Sequence, residues 1–202
     1  MVAACSTGLV SLLRAADHVH AGRCEVALAG SVDTPLHPLL LGCYRRMGVA
    51  CRGRMPSAFT GAGSGFAPAE GAAVVRLGTA PGPWRLLGGL RLADASHETR
   101  CGDAAVLRRC LDQLWMLLPE PDLIIAHATG TRAGDAFEQT GLDTGPWRDC
   151  PRLVCKPSIG HCLGASGLVE LCAGLHAPAD RLWKISLGFG GHIAAVAVMR
   201  NG

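Results

Sequence analysis

The sequence predicts a layered α/β fold with a mostly parallel sheet covered on both faces. From Trp84 onward short apolar runs alternate with helical patterns, the signature of strands joined by crossover helices. Runs such as Leu123 to Ala126 and Ala194 to Val198 are almost continuously apolar, as strands buried on both sides are. The composition agrees: 49% of the 202 residues are hydrophobic and only 17% charged, which calls for fully buried strands or a large contact surface.

Taken in order, residues 6–21 carry Leu9, Leu12, Leu13, Ala16 and Val19 at helical spacing, with Gly22 as a stop, so Cys5 lies at a helix N-terminus. Val26 to Ala29 read as a short strand, and Leu36 to Met47 as a helix interrupted by Pro38. Residues 48–71 form a loop rich in Gly, Arg and small residues, followed by a strand from Ala72 to Leu77. Then come a strand from Arg85 to Leu92, a helix from Asp103 to Leu118, a strand from Asp122 to His127 and a helix from Gly134 to Thr140. A strand from Arg152 to Cys155, a helix from Leu163 to His176, and strands from Leu182 to Leu187 and Ile193 to Met199 complete the βαβαβαββ order.

Several function classes fall away. The formal charge of +3, with arginines scattered among apolar stretches, lacks the basic, aromatic-studded footprint of a nucleic-acid binder. Ten cysteines include no Cys-x-x-Cys pair, and Cys24, Cys43, Cys110 and Cys172 sit in apolar runs, so they read as small buried hydrophobes and no metal site is expected. Arg14, Asp17 and His18 interrupt the N-terminal apolar stretches before a signal-peptide core can form, and no run approaches a membrane span. A reducing cytoplasm is the expected location. A Gly-x-Ser-x-Gly elbow is absent, and Gly61 to Gly65 lacks the third glycine of a dinucleotide fingerprint.

Four segments carry the chemistry: Ala-Cys-Ser-Thr-Gly at 4–8, His-Ala-Thr-Gly-Thr at 127–131, Lys-Pro-Ser-Ile-Gly-His at 156–161 and Gly-Phe-Gly-Gly at 188–191. The orphan N–H groups and partial positive charge of a helix N-terminus favour a thiolate at Cys5, making it the candidate nucleophile. His127 closes a strand and His161 precedes a helix, where imidazole donors emerge from a sheet edge. The glycines around Phe189 permit close backbone approach, though a plain hairpin would use them as well.

In this order the four segments resemble the β-ketoacyl synthases, condensing enzymes of fatty-acid and polyketide assembly. The resemblance implies a thiolase-like layered fold, with one complete βαβαβαββ unit and the terminal αββ part of a second. It divides the chain into residues 1–80, a remnant of the N-terminal half carrying the nucleophile, and residues 81–202, the C-terminal half. It implies a decarboxylative condensation of an acyl group on Cys5 with a malonyl thioester. His127 and His161 would promote decarboxylation and stabilise the enolate, and Lys156 would pair with Glu170, the bland alternative being an ordinary surface ion pair. The backbone N–H groups of Phe189 and Cys5 would form an oxyanion hole, and Thr129 and Thr131 would touch the phosphopantetheine arm. No cofactor is expected beyond that arm, carried by an acyl carrier protein, the implied partner. The two histidines point to the elongating type. Chain-starting ketosynthases use His and Asn, and degradative thiolases need a second cysteine where His192 and Ile193 stand.

The chain also departs from the family. Ala128 replaces a glycine, residues 57–66 lack the usual Asp and Arg, and residues 177–181 stand where relatives carry a longer insertion. Family members place about half of the catalytic domain before the cysteine, which here is residue 5, so the resemblance describes an N-terminally truncated ketosynthase. The strands at 26–29 and 72–77 are therefore expected to have an open edge and to require a homo- or hetero-oligomer. The alternative function is a non-catalytic or decayed partner subunit of a complete ketosynthase.

Overall fold

The computed structural model describes residues 2–53, 57–97 and 101–202. Part of the loop expected at 48–71 thus lies outside the described residues.

The elements are α1 (Thr7–His20), β1 (Val26–Asp33), α2 (Pro38–Arg46), β2 (Gly71–Gly78), β3 (Trp84–Ala93), α3 (Ala104–Leu117), β4 (Leu123–Ile125), α4 (Arg132–Leu142), β5 (Arg152–Leu153), α5 (Lys156–Ile159), α6 (Ser166–Gly174), β6 (Arg181–Gly188) and β7 (His192–Arg200). A 3-10 turn, Leu163–Ala165, leads into α6. Strands β1 and β2 form a two-stranded antiparallel sheet, and the second sheet has the order β3-β7-β6-β4-β5.

Strands β3, β4, β6 and β7 of the larger sheet divide their side chains between two cores. On β6 and β7, Trp183, Ile185, Ile193, Ala195 and Ala197 pack against α3 and the chain after α4. The intervening Leu182, Ala194, Val196 and Val198 pack against α1 and α6. This two-residue alternation explains the continuous apolar runs, since both faces are dry. Helices α1 and α6 in turn lie under β1 and β2, so four layers stack as small sheet, helices, large sheet, helices. This is the thiolase-like layering that the sequence led us to expect, with the complete βαβαβαββ unit beginning at β3.

The sheet is more mixed than expected. Pairings of β4 with β5 and β6 are parallel, whereas β6–β7 and β3–β7 are antiparallel. The reason is local: β6 and β7 are joined by a tight turn, which can connect only antiparallel neighbours. Pro38 does not interrupt a helix but begins one, at the first helical position behind the His37 cap, where its missing N–H costs nothing. Strand β4 ends at Ile125 rather than running to His127: the Ala126 N–H still donates to Leu153 of β5, but the N–H groups of His127 and Ala128 turn to the Glu138 side chain. The helix expected from Leu163 starts as the 3-10 turn, and the short α5 was not foreseen.

Candidate active site

Cys5 stands immediately before Ser6, the residue that opens α1. Ser6 Oγ donates to the carbonyls of Ser186 (3.1 Å) and His192 (3.2 Å), which ties the helix start to the β6–β7 hairpin. The tie requires glycine at 188. A Cβ there would lie 2.8 Å from the Ala3 carbonyl oxygen and 3.3 Å from the Cys5 nitrogen. The Phe189 N–H is consequently brought to the Cys5 sulfur, where it favours the thiolate.

His127 and His161 arrive from opposite sides. Beyond β4 the N–H groups of His127 and Ala128 donate to the two oxygens of Glu138, at 2.6 and 2.7 Å. The His161 N–H donates to the Ala67 carbonyl at 2.7 Å, and its own carbonyl accepts from Ala69 at 3.0 Å. The two imidazoles lie edge to face with ring centres 5.5 Å apart, and Phe66 packs edge-on against His161 at 5.0 Å. His161 Nε2 is 3.2 Å from Cys5 Sγ, and its Nδ1 is 2.8 Å from Ser166 Oγ.

Beneath them lies a chain of buried charges. Lys156 Nζ contacts Glu170 Oε1 at 2.6 Å, the His127 carbonyl, and His127 Nδ1 at 3.5 Å. Both partners of the Lys156–Glu170 pair are sealed from solvent, which removes the surface-pair alternative. Sequence reasoning missed two members of this cluster. Glu138 lies inside α4, beyond the four motifs. Lys184, in an apolar strand, contacts Glu170 Oε2 at 2.5 Å. A lysine at an inward position of an otherwise apolar strand was the signal for it.

Electrostatics correct the reading of Cys5. Burial outweighs Lys156 and the Phe189 N–H, and pushes the thiol up to about 11. At neutral pH Cys5 is therefore a thiol that needs a base, and the nearest is His161 Nε2. Burial likewise holds both imidazoles well below the ordinary histidine range, with Lys156 and Lys184 adding to the shift, so both are neutral at pH 7. An ammonium can only donate, so Nδ1 of His127 accepts and its proton resides on Nε2. Ser166 can donate or accept, which leaves His161 free to hold its proton on either nitrogen.

Cys5, His127, His161, Phe189, Thr129 and Thr131 all line one cavity of about 480 Å³. The two threonine hydroxyls are 2.9 Å apart at the start of α4, where Thr131 also caps the helix by accepting from the Gly134 N–H. Lys156 and Glu170 lie behind His127 and support it from outside the cavity. Among the described residues no cluster of His, Cys, Asp and Glu could hold a metal ion.

Residues 1–80 match the sequence family described as the N-terminal domain of β-ketoacyl synthase, and residues 89–189 match its C-terminal domain. The polyketide synthase ThaG of Burkholderia thailandensis is 32% identical over 187 residues, covering 83% of this chain and 3% of that protein. The chloroplastic 3-oxoacyl-[acyl-carrier-protein] synthase I of Arabidopsis thaliana is 30% identical over 195 residues, covering 84% of this chain and 40% of its own length. A solved complex of a type II polyketide synthase acyl-carrier protein with its ketosynthase superposes on 98% of this chain and 62% of that one. Its TM-score is 0.87 at 22% identity, a likeness of fold.

Proposed function

The chain belongs to the β-ketoacyl synthase family, and on that premise we propose that it transfers an acyl group to Cys5 and condenses it with a malonyl unit held as a thioester on an acyl carrier protein. The observation that carries this reading is the meeting of Cys5, two neutral imidazoles and the Phe189 N–H in one cavity.

In the first half-reaction Cys5 passes its proton to His161 Nε2 as sulfur attacks the acyl thioester. The N–H groups of Phe189 and Cys5 bind the tetrahedral oxyanion, and the departing carrier thiolate takes the proton back from His161. In the second, the malonyl carboxylate leaves as CO2, and its bonding electrons pass to an enolate whose oxygen accepts from His127 Nε2. His161, with Ser166 donating to its Nδ1, presents a second N–H. The enolate carbon attacks the acyl carbon, and the released Cys5 sulfur regains a proton from solvent through His161. Thr129 and Thr131 would guide the phosphopantetheine arm that both thioesters share, and the chain itself supplies no cofactor.

Acyl loading, followed by intact-protein mass, and CO2 release from malonyl carrier protein separate the two halves. Cys5→Ala should abolish loading. His127→Ala should leave loading largely intact and reduce CO2 release by roughly 10². Equal loss of both in His127→Ala, or loss of neither, would overturn the assignment.

A second reading, a partner subunit of a complete ketosynthase, is favoured by the outer face of the smaller sheet, where Val26, Leu28, Val32 and Val74 are exposed beside Arg76. The chain spans 3% and 40% of the lengths of the two curated relatives above. No helix among the described residues is long and apolar enough to cross a membrane.

A further inference from the structure

The geometry points to Lys184 as a positioning residue for His127: its ammonium holds one oxygen of Glu170 and the Ala126 carbonyl, so that the other Glu170 oxygen aims Lys156 at the imidazole. The inference rests on the reading of His127 as an acting group.

Lys184 occupies an inward position of β6, between the fully buried Leu182 and Ser186, and is itself fully buried. Its three N–H donors are all used, on Glu170 Oε2 (2.5 Å), the Ile185 carbonyl (2.8 Å) and the Ala126 carbonyl (3.2 Å). A leucine in this core would avoid the cost of burying a second cation, so packing does not account for a lysine.

The two ammoniums work on consecutive peptides. Lys184 takes the carbonyl of Ala126 and Lys156 that of His127, while Glu138 takes the N–H groups of His127 and Ala128. At the end of β4 the Ala126 N–H still donates to Leu153 of β5, and ionic side chains take the peptide groups that follow. Glu170 is the shared joint. With Lys184 removed, its Oε2 would be buried without that partner, and the carboxylate would turn both oxygens to Lys156 and draw Nζ off the imidazole. The charged and titratable groups facing His127 are Lys156 from α5, Lys184 from β6, His161 from the chain after α5, Glu170 from α6, Glu138 and Asp135 from α4, and Cys5 from the start of α1. Only the first three disfavour its protonation through charge.

The test compares the unaltered chain with Lys184→Met and Lys184→Arg in three measurements: titration of the His127 ring by NMR, CO2 release from malonyl carrier protein against pH, and denaturant stability. In Lys184→Met the His127 titration should move upward, and CO2 release at neutral pH should fall roughly 10- to 100-fold, the scale of a misplaced catalytic group. Lys184→Arg keeps the charge and should return both towards the unaltered chain. A His127 titration and CO2 release unchanged in Lys184→Met would overturn the proposal, as would a loss of stability alone. If Lys184→Met does not fold, Lys184→Gln, which keeps an amide donor without the charge, carries the same comparison. An unaltered chain that releases no CO2 would sink the ketosynthase reading, while the NMR titration would still decide the role of Lys184.

Discussion

Three residues close in sequence to Cys5, His127 and His161 hold backbone that L-amino acids rarely adopt. Ala4, beside Cys5, has φ 46°; Ala128, beside His127, has φ 44°; Leu163, two residues after His161, has φ 42°. Such conformations cost about 1–3 kcal/mol each and persist only where the surroundings impose them. At Ala128 the Glu138 carboxylate imposes it, so the methyl that departs from the family pattern bears its cost as backbone strain. The buried imidazoles add a pH-dependent cost. With native pKa values well below 6.5, His127 and His161 stay neutral as acid is added, while the unfolded chain takes up their protons. Stability is therefore full above about pH 6.5 and is lost as pH falls from there towards the native values. The slope for each histidine approaches about 1.4 kcal/mol per pH unit. Denaturant titrations of the unaltered chain and His127→Gln between pH 7 and pH 5 should register this as a smaller slope in the variant, by up to about 1.4 kcal/mol per pH unit, because the Glu138 and Asp135 carboxyls, raised by burial, act in the opposite sense in both chains. Identical slopes would mean that the His127 ring takes up its proton equally in the native and unfolded chain.

At the scale of elements, the site is made where regular structure stops. The stop of β4 at Ile125, the β6–β7 turn and the break before α6 each leave peptides without ladder partners, and side chains or a second loop take them up. This explains what was legible in the sequence. Helices α1 and α3 and strands β6 and β7 announce themselves by period, and the four motifs bring Cys5, His127, Thr129, Thr131, His161 and Phe189 to the cavity, while the rest of its wall, Phe66 and Phe137 among it, comes from outside them. Glu138 was not legible and Lys184 stood out only as a lysine in an apolar strand, because neither periodicity nor motif records which inward side chain will meet a broken strand. The thiolate assigned to Cys5 failed for a related reason: a helix N-terminus acts over one turn, and the burial that opposes it is set by the whole fold. The turn itself is testable. At Gly191, φ is 72° and a Cβ would overlap the Asp94 carbonyl, so this residue is fixed by backbone alone. Gly188 is fixed by its approach to Ala3 and Cys5. On the proposed mechanism, Gly188→Ala should push the hairpin from Cys5, reducing acyl loading roughly 10²-fold and costing about 1–3 kcal/mol of stability. Loading at the unaltered rate would show that Phe189 is not the oxyanion donor.

On the scale of the whole molecule, the layers are unequal. The large sheet is covered on both sides, but among the described residues the small one is covered on one side, by α1, α6 and the 3-10 turn before α6. Its outer face presents Val26, Leu28, Val32 and Val74 to solvent, with Leu28 72% and Val32 71% exposed. Register places Leu28 opposite Arg76, Gly30 opposite Val74 and Val32 opposite Ala72, so these side chains adjoin on one surface with Arg76 among them. A largely apolar face on a two-stranded sheet is an association site, since such a ribbon has little independent stability and two unpaired edges. The isolated chain should therefore self-associate at micromolar concentration and bind an apolar-surface dye. Leu28→Lys with Val74→Lys should shift it towards monomer in light scattering while leaving the melting temperature of the monomer nearly unchanged, because both side chains already face water and contribute little to the core. A dye-silent monomer with a sharp thermal transition before any substitution would refute the expectation. Loss of folding in the double variant would mean instead that the outer face is part of the core, closed by contacts within the chain.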